Sequence, residues 1–377
     1  MKIRYFDNAA TTVIKEKVLM EMFPYLTNLY GNPSSMYSLG RYSKKAIEES
    51  RNKVATLIKA NSKEIYFTSC GSESDNIAIK GFAYANQNKG KHIITSKIEH
   101  HAILETCETL ERQGYEVTYL NVDKEGIVNI SELINAIRKD TILISIMFAN
   151  NEIGTIQPIE EIVKIAKLNN IVFHTDAVQA VGNIPIDVTK MGIDMLSMSA
   201  HKIHGPKGVG AIYIRNGIEI EKYINGGHQE KNKRAGTENV AGIVGFGEAC
   251  RIAEKNLEYH IQYLTKLRNY YFKKVLDEIQ NVKINGSTEK RLPGNANVCF
   301  KNIDAQELLF RLDEVGICAS AGSACNTGTQ SPSHVLIAIG LTSHEAKGAL
   351  RTTFGEDNSF DDIDFLIEKL KKIIKNT

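Results

Sequence analysis

The sequence lacks the features that mark membrane and secreted proteins. No apolar run approaches the ~20 residues that a helix needs to cross a bilayer, and residues 1–7 have no apolar core of the kind found in a signal peptide. The six cysteines stand at positions 70, 107, 250, 299, 318 and 325, and none of them forms a C-x-x-C pair. This spacing argues against a disulfide framework or a zinc knuckle and is typical of a reducing cytosol. We therefore expect a soluble, cytoplasmic protein with no membrane partner and no bound metal.

The sequence also lacks a strong charge of either sign. Its 46 Lys and Arg residues against 44 Asp and Glu give a formal net charge of +2, and no long basic run is present. Because nucleic-acid-binding domains usually concentrate basic residues on one face, we expect no direct nucleic-acid partner. No G-x-G-x-x-G or Walker A string is present either, so the sequence gives little support for a dinucleotide or P-loop nucleotide site.

Short apolar runs alternate with helical patterns from residue 64 onward. The runs lie at 65–68, 92–96, 115–120, 142–148, 171–175, 194–198 and 209–214, and helical stretches such as 72–86, 100–113 and 158–168 lie between them. This alternation predicts an α/β domain whose mostly parallel seven-stranded sheet is covered on both faces.

Helices are also expected outside this alternation. One amphipathic helix is expected over 43–59, and a glycine-rich helical segment at 240–253 leads into a long charged helix that ends near 280.

The segments after that helix predict a second, smaller domain. Short strands near 296–300, 317–320 and 349–354 follow, with helices between them. The chain of 377 residues is long enough for two domains. We assign residues 13–255 to a large domain, and residues 1–12 with 256–377 to a small α+β domain.

Polar residues follow the predicted strands at several points. In such sheets ligands bind beyond the carboxyl ends of the strands, and the residues found there are Cys70-Gly71-Ser72, His100, Asn150-Asn151, Asp176 and Ser199–Lys202. Gly71 and Ser72 open a helix, whose free amides and positive dipole end suit a phosphate. A serine that only caps its helix explains the same pattern.

Lys202 is a candidate covalent anchor for a cofactor. A lysine at the mouth of a buried strand is poorly solvated, so it deprotonates more easily and can form a Schiff base with an aldehyde. Asp176 could pair with a protonated ring nitrogen and Gln179 with a ring substituent, while His100 could stack on a ring or move a proton. Plainer interpretations also stand: Lys202 as a surface lysine at a strand end, and Asp176 as the cap of the next helix. The occurrence of all these groups at strand ends, in this order, favours a common site.

Together these motifs place the chain beside a known family. The sequence closely resembles the cysteine desulfurases of the NifS/IscS type, pyridoxal-phosphate enzymes of the class V aminotransferase fold, fold type I. The resemblance rests on Y-F-D-N-A-A-T-T, G-N-P-S-S, F-T-S-C-G-S-E-S-D-N, I-T-S-K-I-E-H, N-N-E-I-G, H-T-D-A-V-Q, S-A-H-K-I-H-G-P-K-G, R-A-G-T-E-N and A-G-S-A-C. These strings run from residue 5 to residue 325, so the resemblance covers nearly the whole chain.

The resemblance implies a role for each residue that matches a family motif. Lys202 would carry pyridoxal 5'-phosphate, Asp176 would partner the pyridine nitrogen, Gln179 would bond the ring hydroxyl, and His100 would stack on the ring and take part in catalysis. The phosphate would be held by Gly71, Ser72, Ser199 and His201, with Thr237 supplied by the neighbouring subunit of a homodimer. Asn151, also counted with the cofactor site, and Arg351 would bind the carboxylate of L-cysteine.

Cys325 would be the nucleophile that takes sulfur as a persulfide. It lies in the small-residue segment Ser320–Gly328, which gives the chain reach, although a buried loop thiol fits the same composition. The implied reaction converts L-cysteine to L-alanine and passes sulfur to an acceptor protein, an iron–sulfur scaffold or a tRNA-thiolation enzyme. A class V aminotransferase or selenocysteine lyase on the same scaffold, and a catalytically silent scaffold, are the alternatives.

Two departures from the family pattern limit what the resemblance implies. Cys70 stands where the family often has a small residue without a thiol, so a second thiol is expected near the phosphate. After Arg351 the string T-T-F-G-E-D-N-S differs from the more basic ending of many relatives, and a short C-terminal segment follows it. This second departure leaves the sulfur acceptor open.

Overall fold

The computed structural model describes residues 2–322 and 332–375 of the chain. Within those ranges the strands are β1 (Arg4–Tyr5), β2 (Ile65–Thr68), β3 (His92–Ser96), β4 (Glu116–Leu120), β5 (Thr141–Ser145), β6 (Val172–Asp176), β7 (Met195–Ser199), β8 (Gly210–Ile214), β9 (Val282–Ile284), β10 (Asn295–Phe300), β11 (Ile317–Cys318) and β12 (Ala349–Thr353). The helices are α1 (Glu16–Thr27), α2 (Ser38–Leu57), α3 (Gly71–Asn76), α4 (Phe82–Ala85), α5 (His101–Glu111), α6 (Ile130–Ala136), α7 (Ile159–Leu168), α8 (Val188–Met191), α9 (Gln229–Asn232), α10 (Val240–Glu278), α11 (Ala305–Glu314), α12 (His334–Ala338), α13 (Ser343–Ala346) and α14 (Phe360–Lys375).

A seven-stranded sheet forms the centre of the molecule. Its strand order is β2-β8-β7-β6-β5-β3-β4, and β8 pairs antiparallel with both β2 and β7 while the remaining pairs are parallel. All residues of β3, β5, β7 and β8 are buried, as expected when helices cover both faces of a sheet. Every apolar run predicted from the sequence overlaps one of these strands, so the α/β fold with a mostly parallel sheet is confirmed.

Some helix bounds differ from the sequence prediction. The helix expected over 43–59 begins five residues earlier, at Ser38. Ser43, the expected first residue, does not cap the helix: it is buried inside it, and its hydroxyl donates to the Leu29 carbonyl oxygen. The helix expected over 72–86 is interrupted by a π-helical turn at Ile77–Gly81. There the carbonyl oxygen of Gly81 accepts a hydrogen bond from the Glu221 amide at 2.8 Å, so it serves a neighbouring segment as well.

A second group of strands forms a smaller unit. β9, β10 and β12 make an antiparallel three-stranded sheet, and β1 pairs in parallel with β11. α10 connects the two units as one continuous helix of 39 residues. Its buried residues up to Cys250 pack in the core of the large sheet, whereas those from Leu264 onward pack against β10, β12 and α14. The boundary predicted at residue 255 therefore falls inside a helix, and the division into two domains stays a prediction.

Three further features of the described residues bear on function. No helix among them is long and apolar enough to cross a membrane. No group of three or more His, Cys, Asp or Glu side chains among them could hold a metal ion. The thiols of Cys107, Cys250 and Cys299 are buried, and burial raises the pKa of each, which makes these cysteines poor nucleophiles.

Candidate active site

A pocket opens at the carboxyl ends of the parallel strands. It has a cavity volume of about 210 Å³ and is lined by Ala9, Ala10, Cys70, Gly71, Ser72, Asp75, His100, Met147, Ala149, Asn151, Asp176, Val178, Gln179, Ser199, His201, Lys202 and Arg351. The structure thus brings together all the predicted site residues except two. Thr237 is exposed and does not line this pocket, and Cys325 lies outside the described residues.

One end of the pocket is suited to an anion. α3 begins at Gly71, directly after the extended residue Cys70, so the first amides of the helix have no carbonyl one turn earlier. Within the described residues the Ser199 hydroxyl is buried and has no hydrogen-bond partner. A Cβ added at Gly71 would stand 2.7 Å from Cγ2 of Val178, so glycine keeps this corner open. An unsatisfied buried hydroxyl beside free amides indicates a missing hydrogen-bonding ligand.

Lys202 ends a 3-10 turn, Ala200–Lys202, that follows β7. Its Nζ donates hydrogen bonds to the carbonyl oxygens of Ala9 at 2.5 Å and Ala10 at 2.7 Å. The turn is fixed by Thr12, whose amide and hydroxyl both donate to the His201 carbonyl oxygen at 2.9 Å. The N-terminal segment, which the sequence predicted only as a turn, therefore holds the amine within the pocket.

Asp176 ends β6 and is only 7% exposed. Its Oδ1 accepts a hydrogen bond from the Val178 amide at 2.9 Å, which is the local capping contact that the plainer interpretation expected. Burial raises the pKa of Asp176 to about 6, although the charge of Lys202 opposes this shift. The carboxyl of Asp75 is buried beside it, and burial together with the charge of Asp176 raises its pKa as well. A cationic group bound in the pocket would favour the ionised form of Asp176.

His100 forms the N-cap of α5 and is held in one tautomer. Its Nδ1 accepts a hydrogen bond from the Ala102 amide at 3.1 Å, so in the neutral ring the proton resides on Nε2. Burial and the neighbouring Lys202 lower the pKa of His100 to about 4. At physiological pH the ring is therefore neutral, and it can donate a hydrogen bond from Nε2.

Arg351 brings a positive charge into the pocket from β12. It is 1% exposed, and its Nη2 donates to Oδ1 of Asp7 at 2.7 Å while its Nη1 donates to the Asn151 carbonyl oxygen at 3.2 Å. Nε has no partner among the described residues. Arg351 and Asn151, which lie 200 residues apart in the sequence, are thus in contact.

Sequence reasoning missed some residues of the pocket. The carbonyl oxygens of Ala9 and Ala10 hold Lys202, and the carboxylate of Asp7 holds Arg351. All three residues belong to the string D-N-A-A-T-T, which contributed to the family resemblance but received no role. Asp75 belongs to S-E-S-D-N, where its position four residues after Gly71 places it one helical turn into α3, facing the sheet. A carboxylate at a buried helix position was the signal that could have identified it.

Comparisons with known proteins agree with this geometry. The family model described as "Aminotransferase class-V" matches residues 4–366. The chain is 54% identical to a protein named cysteine desulfurase IscS from Methanosarcina thermophila, with 99% of this chain and 92% of the relative covered. It is 52% identical to a protein of the same name from Dictyoglomus turgidum, with 98% and 94% covered.

Solved structures agree as well. A NifS-like protein superposes with a TM-score of 0.94 at 39% identity, over 100% of both chains. A structure titled SspA in complex with cysteine superposes with a TM-score of 0.83 at 39% identity, over 93% of this chain and 98% of the other.

The cofactor of this family is pyridoxal 5'-phosphate, and the pocket fits it. The unpartnered Ser199 hydroxyl and the start of α3 suit its phosphate, the buried Asp176 suits its ring nitrogen, and the amine of Lys202 suits its aldehyde. The chain accordingly belongs to the class V aminotransferase family and, within it, to the cysteine desulfurases.

Proposed function

We propose that this enzyme converts L-cysteine to L-alanine and holds the released sulfur as a persulfide on Cys325 before passing it to an acceptor protein. The observation that carries the proposal is the meeting of an amine, a buried carboxylate and a buried guanidinium in one pocket, contributed by Lys202, Asp176 and Arg351. The identity of more than half the residues with cysteine desulfurases supports the same reaction.

The large sheet supplies the groups that would hold the cofactor. Bound pyridoxal phosphate supplies an electron sink for bonds broken at the substrate's carbon atoms. We assign its aldehyde to Lys202 and its ring nitrogen to Asp176, and the ring hydroxyl to Gln179, whose Nε2 now donates to the Ala9 carbonyl oxygen at 3.0 Å. The phosphate would accept hydrogen bonds from Gly71, Ser72, Ser199 and His201. His201 suits this task as a neutral ring, because burial and the charge of Lys202 lower its pKa to about 4.

Two residues would move protons. The amine of Lys202, once free of the cofactor, would take a proton from the substrate's α-carbon and return one to the product. His100 would stack on the ring. Its Nδ1 faces α5 and accepts from the Ala102 amide, so the proton on Nε2 lies on the side of the imidazole away from that helix. A neutral histidine in this state can hydrogen-bond a substrate thiolate.

Arg351 and Asn151 would fix the substrate's carboxylate. A guanidinium presents paired N–H groups that match the two oxygens of a carboxylate. Arg351 is buried and already held by Asp7 and by the backbone of Asn151, so it can bind without being ordered first. This contact would orient the Cβ–S bond of L-cysteine within the pocket.

Cys325 would remove the sulfur. Its thiolate would form an S–S bond with the substrate's sulfur as the Cβ–S bond breaks, and the electron pair left on carbon would take up a proton to give alanine. Four of the other cysteines are less suited: Cys107, Cys250 and Cys299 are buried, and burial raises the pKa of Cys318. Cys70 lines the pocket itself, and mapping the extra sulfur distinguishes it from Cys325. Cys325 is also the only cysteine that follows the string A-G-S-A.

The Cys325→Ala variant tests the proposal, with Cys318→Ala as its matched control. Cys325→Ala should bind cofactor and L-cysteine normally, yet release no sulfide and carry no persulfide, whereas Cys318→Ala should behave as the native enzyme. Mass spectrometry after brief exposure to L-cysteine should find the extra sulfur on Cys325. Undiminished sulfide release from Cys325→Ala would contradict the proposal and would favour a lyase that needs no nucleophilic thiol.

A second copy of the chain would complete the site. α1, the segment after it and the first turns of α2 expose large apolar side chains: Leu19, Met20, Phe23, Leu26, Tyr30, Met36, Tyr37 and Tyr42, each 50% exposed or more. Apolar surface of this extent marks an interface. The loop carrying Thr237 is anchored to its own subunit by a bond from Arg234 to Glu73 at 2.8 Å, yet Thr237 itself stays exposed. We therefore assign this face to a homodimer in which Thr237 reaches the neighbouring subunit's phosphate.

Subunit exchange tests this part of the proposal. Lys202→Ala and Thr237→Ala subunits, each defective alone, should regain activity when mixed. In a dimer of one subunit of each kind, one of the two sites combines native Lys202 from one subunit with native Thr237 from the other. Sedimentation should show a dimer, and Phe23→Glu should weaken it. A fully active monomer would refute the shared site.

The sulfur acceptor and the compartment are the remaining parts of the proposal. We assign the acceptor to iron–sulfur cluster assembly or tRNA thiolation, with the name IscS among the relatives favouring the first. The described cysteines are all unpaired, which supports a cytoplasmic location. Transfer of labelled sulfur from the persulfidated enzyme to a purified iron–sulfur scaffold protein, but not to a tRNA-thiolation enzyme, would settle the choice, and transfer to neither would refute both.

A further inference from the structure

We infer that Asp7 is a positioning residue for substrate binding: its single carboxylate holds the guanidinium of Arg351 and the hydroxyl of Ser320 together, and so aligns Arg351 for the carboxylate of the amino-acid substrate. The inference rests on the proposed role of Arg351. It assigns to the N-terminal segment a part in substrate recognition.

The two oxygens of Asp7 have separate partners. Oδ1 accepts from Nη2 of Arg351 at 2.7 Å, and Oδ2 accepts from the Ser320 hydroxyl at 2.7 Å. Both distances are in the range of charge-assisted hydrogen bonds. Ser320 and Arg351 also pair directly, since each amide donates to the other's carbonyl oxygen, at 3.2 Å and 2.6 Å. The Asp7 carboxylate therefore bonds to the side chains of Ser320 and Arg351, the same two residues whose backbones pair with each other.

The backbone that carries this carboxylate is itself held in place. The side chain of Tyr5 donates to the Asp7 carbonyl oxygen at 3.0 Å, and Asp7 forms a parallel bridge with Thr353, two residues beyond Arg351 on β12. A rigid acceptor fixes the plane of the guanidinium, because Nη1 is held at the same time by the Asn151 carbonyl oxygen. The remaining N–H groups are then presented in one orientation, which lowers the entropy cost of binding a planar carboxylate.

Charge supports the same role. The side chains of Arg351 and Asp7 are 1% and 13% exposed. Among the described residues Asp7 is the one carboxylate paired with Arg351, so removing it would leave a buried guanidinium without that partner. Ser320 adds a link along the chain, since it stands five residues before Cys325 (325 − 320). The carboxylate thus joins the residue that would bind the substrate to the segment of the sequence that leads to the proposed nucleophile.

Two ligands that differ only in the carboxylate separate this role from a general structural one. L-cysteine and cysteamine share the amine and the thiol, but cysteamine has no carboxylate. Dissociation constants for both would be measured on the holoenzyme, from the absorption change of the bound cofactor in the first turnover. The variants are Asp7→Ala, Asp7→Asn, Ser320→Ala and Arg351→Gln. Asp362→Ala is the matched control, because Asp362 also holds the N-terminal segment, through Lys2 and Arg4, but does not touch Arg351.

Asp7→Ala should weaken L-cysteine binding about tenfold, equivalent to ~1.4 kcal/mol, and leave cysteamine binding unchanged. KM for L-cysteine should rise more than kcat falls. Asp7→Asn should restore part of the affinity, because the amide oxygen still accepts from Arg351, and Ser320→Ala should have a smaller effect of the same kind. Asp362→Ala should change neither dissociation constant, even if it lowers the melting temperature.

Three outcomes would overturn the inference. Equal weakening for both ligands in Asp7→Asn, which keeps the size of the side chain, would show a structural role only. Tighter L-cysteine binding in Asp7→Ala would show that Asp7 competes with the substrate for Arg351. An unchanged L-cysteine affinity in Asp7→Ala, alongside a selective loss in Arg351→Gln, would refute the role of Asp7 and leave the proposed function standing. If Arg351→Gln itself binds L-cysteine normally, the assignment of Arg351 in the proposed function fails instead.

Discussion

The two sides of the pocket are built in different ways. On the cofactor side, Asp176 ends β6, while His100 and Lys202 follow β3 and β7, and these strands are near neighbours in one sheet. On the substrate side, Arg351 comes from β12 and meets Asp7, a partner 344 residues away along the chain. The first side follows from a rule about parallel sheets, whereas the second depends on how the chain termini pack against each other.

This difference has a consequence for how substitutions act. A strand end is fixed by the hydrogen bonds of the sheet, so replacing a side chain there removes its chemistry and leaves the backbone in place. The substrate side is held by side-chain contacts between distant segments, such as the bond of Asp7 to Ser320. Substitutions there should change binding and local stability together.

The largest expected effect lies on the cofactor side, at Lys202. Lys202→Ala should lower turnover by about 10⁴-fold, the upper end for the loss of a group that transfers protons, because the same amine anchors the cofactor. Borohydride reduction of the native holoenzyme followed by peptide mapping should place the pyridoxyl group on Lys202. If the pyridoxyl group were recovered on another lysine, the cofactor would not be anchored at the end of β7, and the cofactor side would be wrongly assigned.

A smaller loss is expected for Asp176. Asp176→Asn keeps the shape and the hydrogen bond to Val178, but it removes the charge that would hold a ring nitrogen protonated, so turnover should fall about 10²- to 10³-fold with the fold retained. The melting temperature should change little, and much of the cofactor should remain bound. Turnover at the native rate would show that the carboxylate at the end of β6 has no electronic role.

The smallest effect is expected outside the pocket, where the loop after β12 meets α10 and the segment before α1. Oε2 of Glu356, a residue in the loop after β12, accepts from Lys15 at 2.7 Å, and its Oε1 lies 2.9 Å from Nδ1 of His260. These contacts lower its pKa from the usual 4.5 to about 2, with His260 as the largest cause. A lowered folded-state pKa gives stability that is present above about 4.5 and is lost as the pH falls through 2. Glu356→Gln should therefore destabilise the protein at pH 7 by about 1 kcal/mol, allowing for screening by solvent.

Urea unfolding of Glu356→Gln and of the native protein across this pH range measures the difference. The difference in unfolding free energy should shrink as the pH approaches 2. The substitution should leave turnover at pH 7 nearly unchanged. Glu307→Gln, which breaks the exposed pair of Glu307 with Arg311, is the control and should show less destabilisation. A difference that does not depend on pH would mean that Glu356 acts by packing and not by charge.

The sequence by itself determined the large sheet and the residues at its edge. Fully buried strands read as short apolar runs, and each run ends where the polar residues begin, so the positions of His100, Asp176 and Lys202 follow from local pattern alone. The resemblance to a family added Thr237, Arg351 and Cys325, because no strand end or helix start in the local pattern marks these residues.

Only the tertiary structure decided what surrounds those residues. The carbonyl oxygens of Ala9 and Ala10 around Lys202 carry no side-chain signal, since any residue has a carbonyl group. The bond between Asp7 and Arg351 joins segments 344 residues apart, and no periodicity in either segment encodes that distance. The burial of Asp75 beside Asp176 depends on how α3 packs on the sheet. Local sequence patterns report the conformation and exposure of their own segment, whereas contacts between distant segments are decided by the packing of the whole chain.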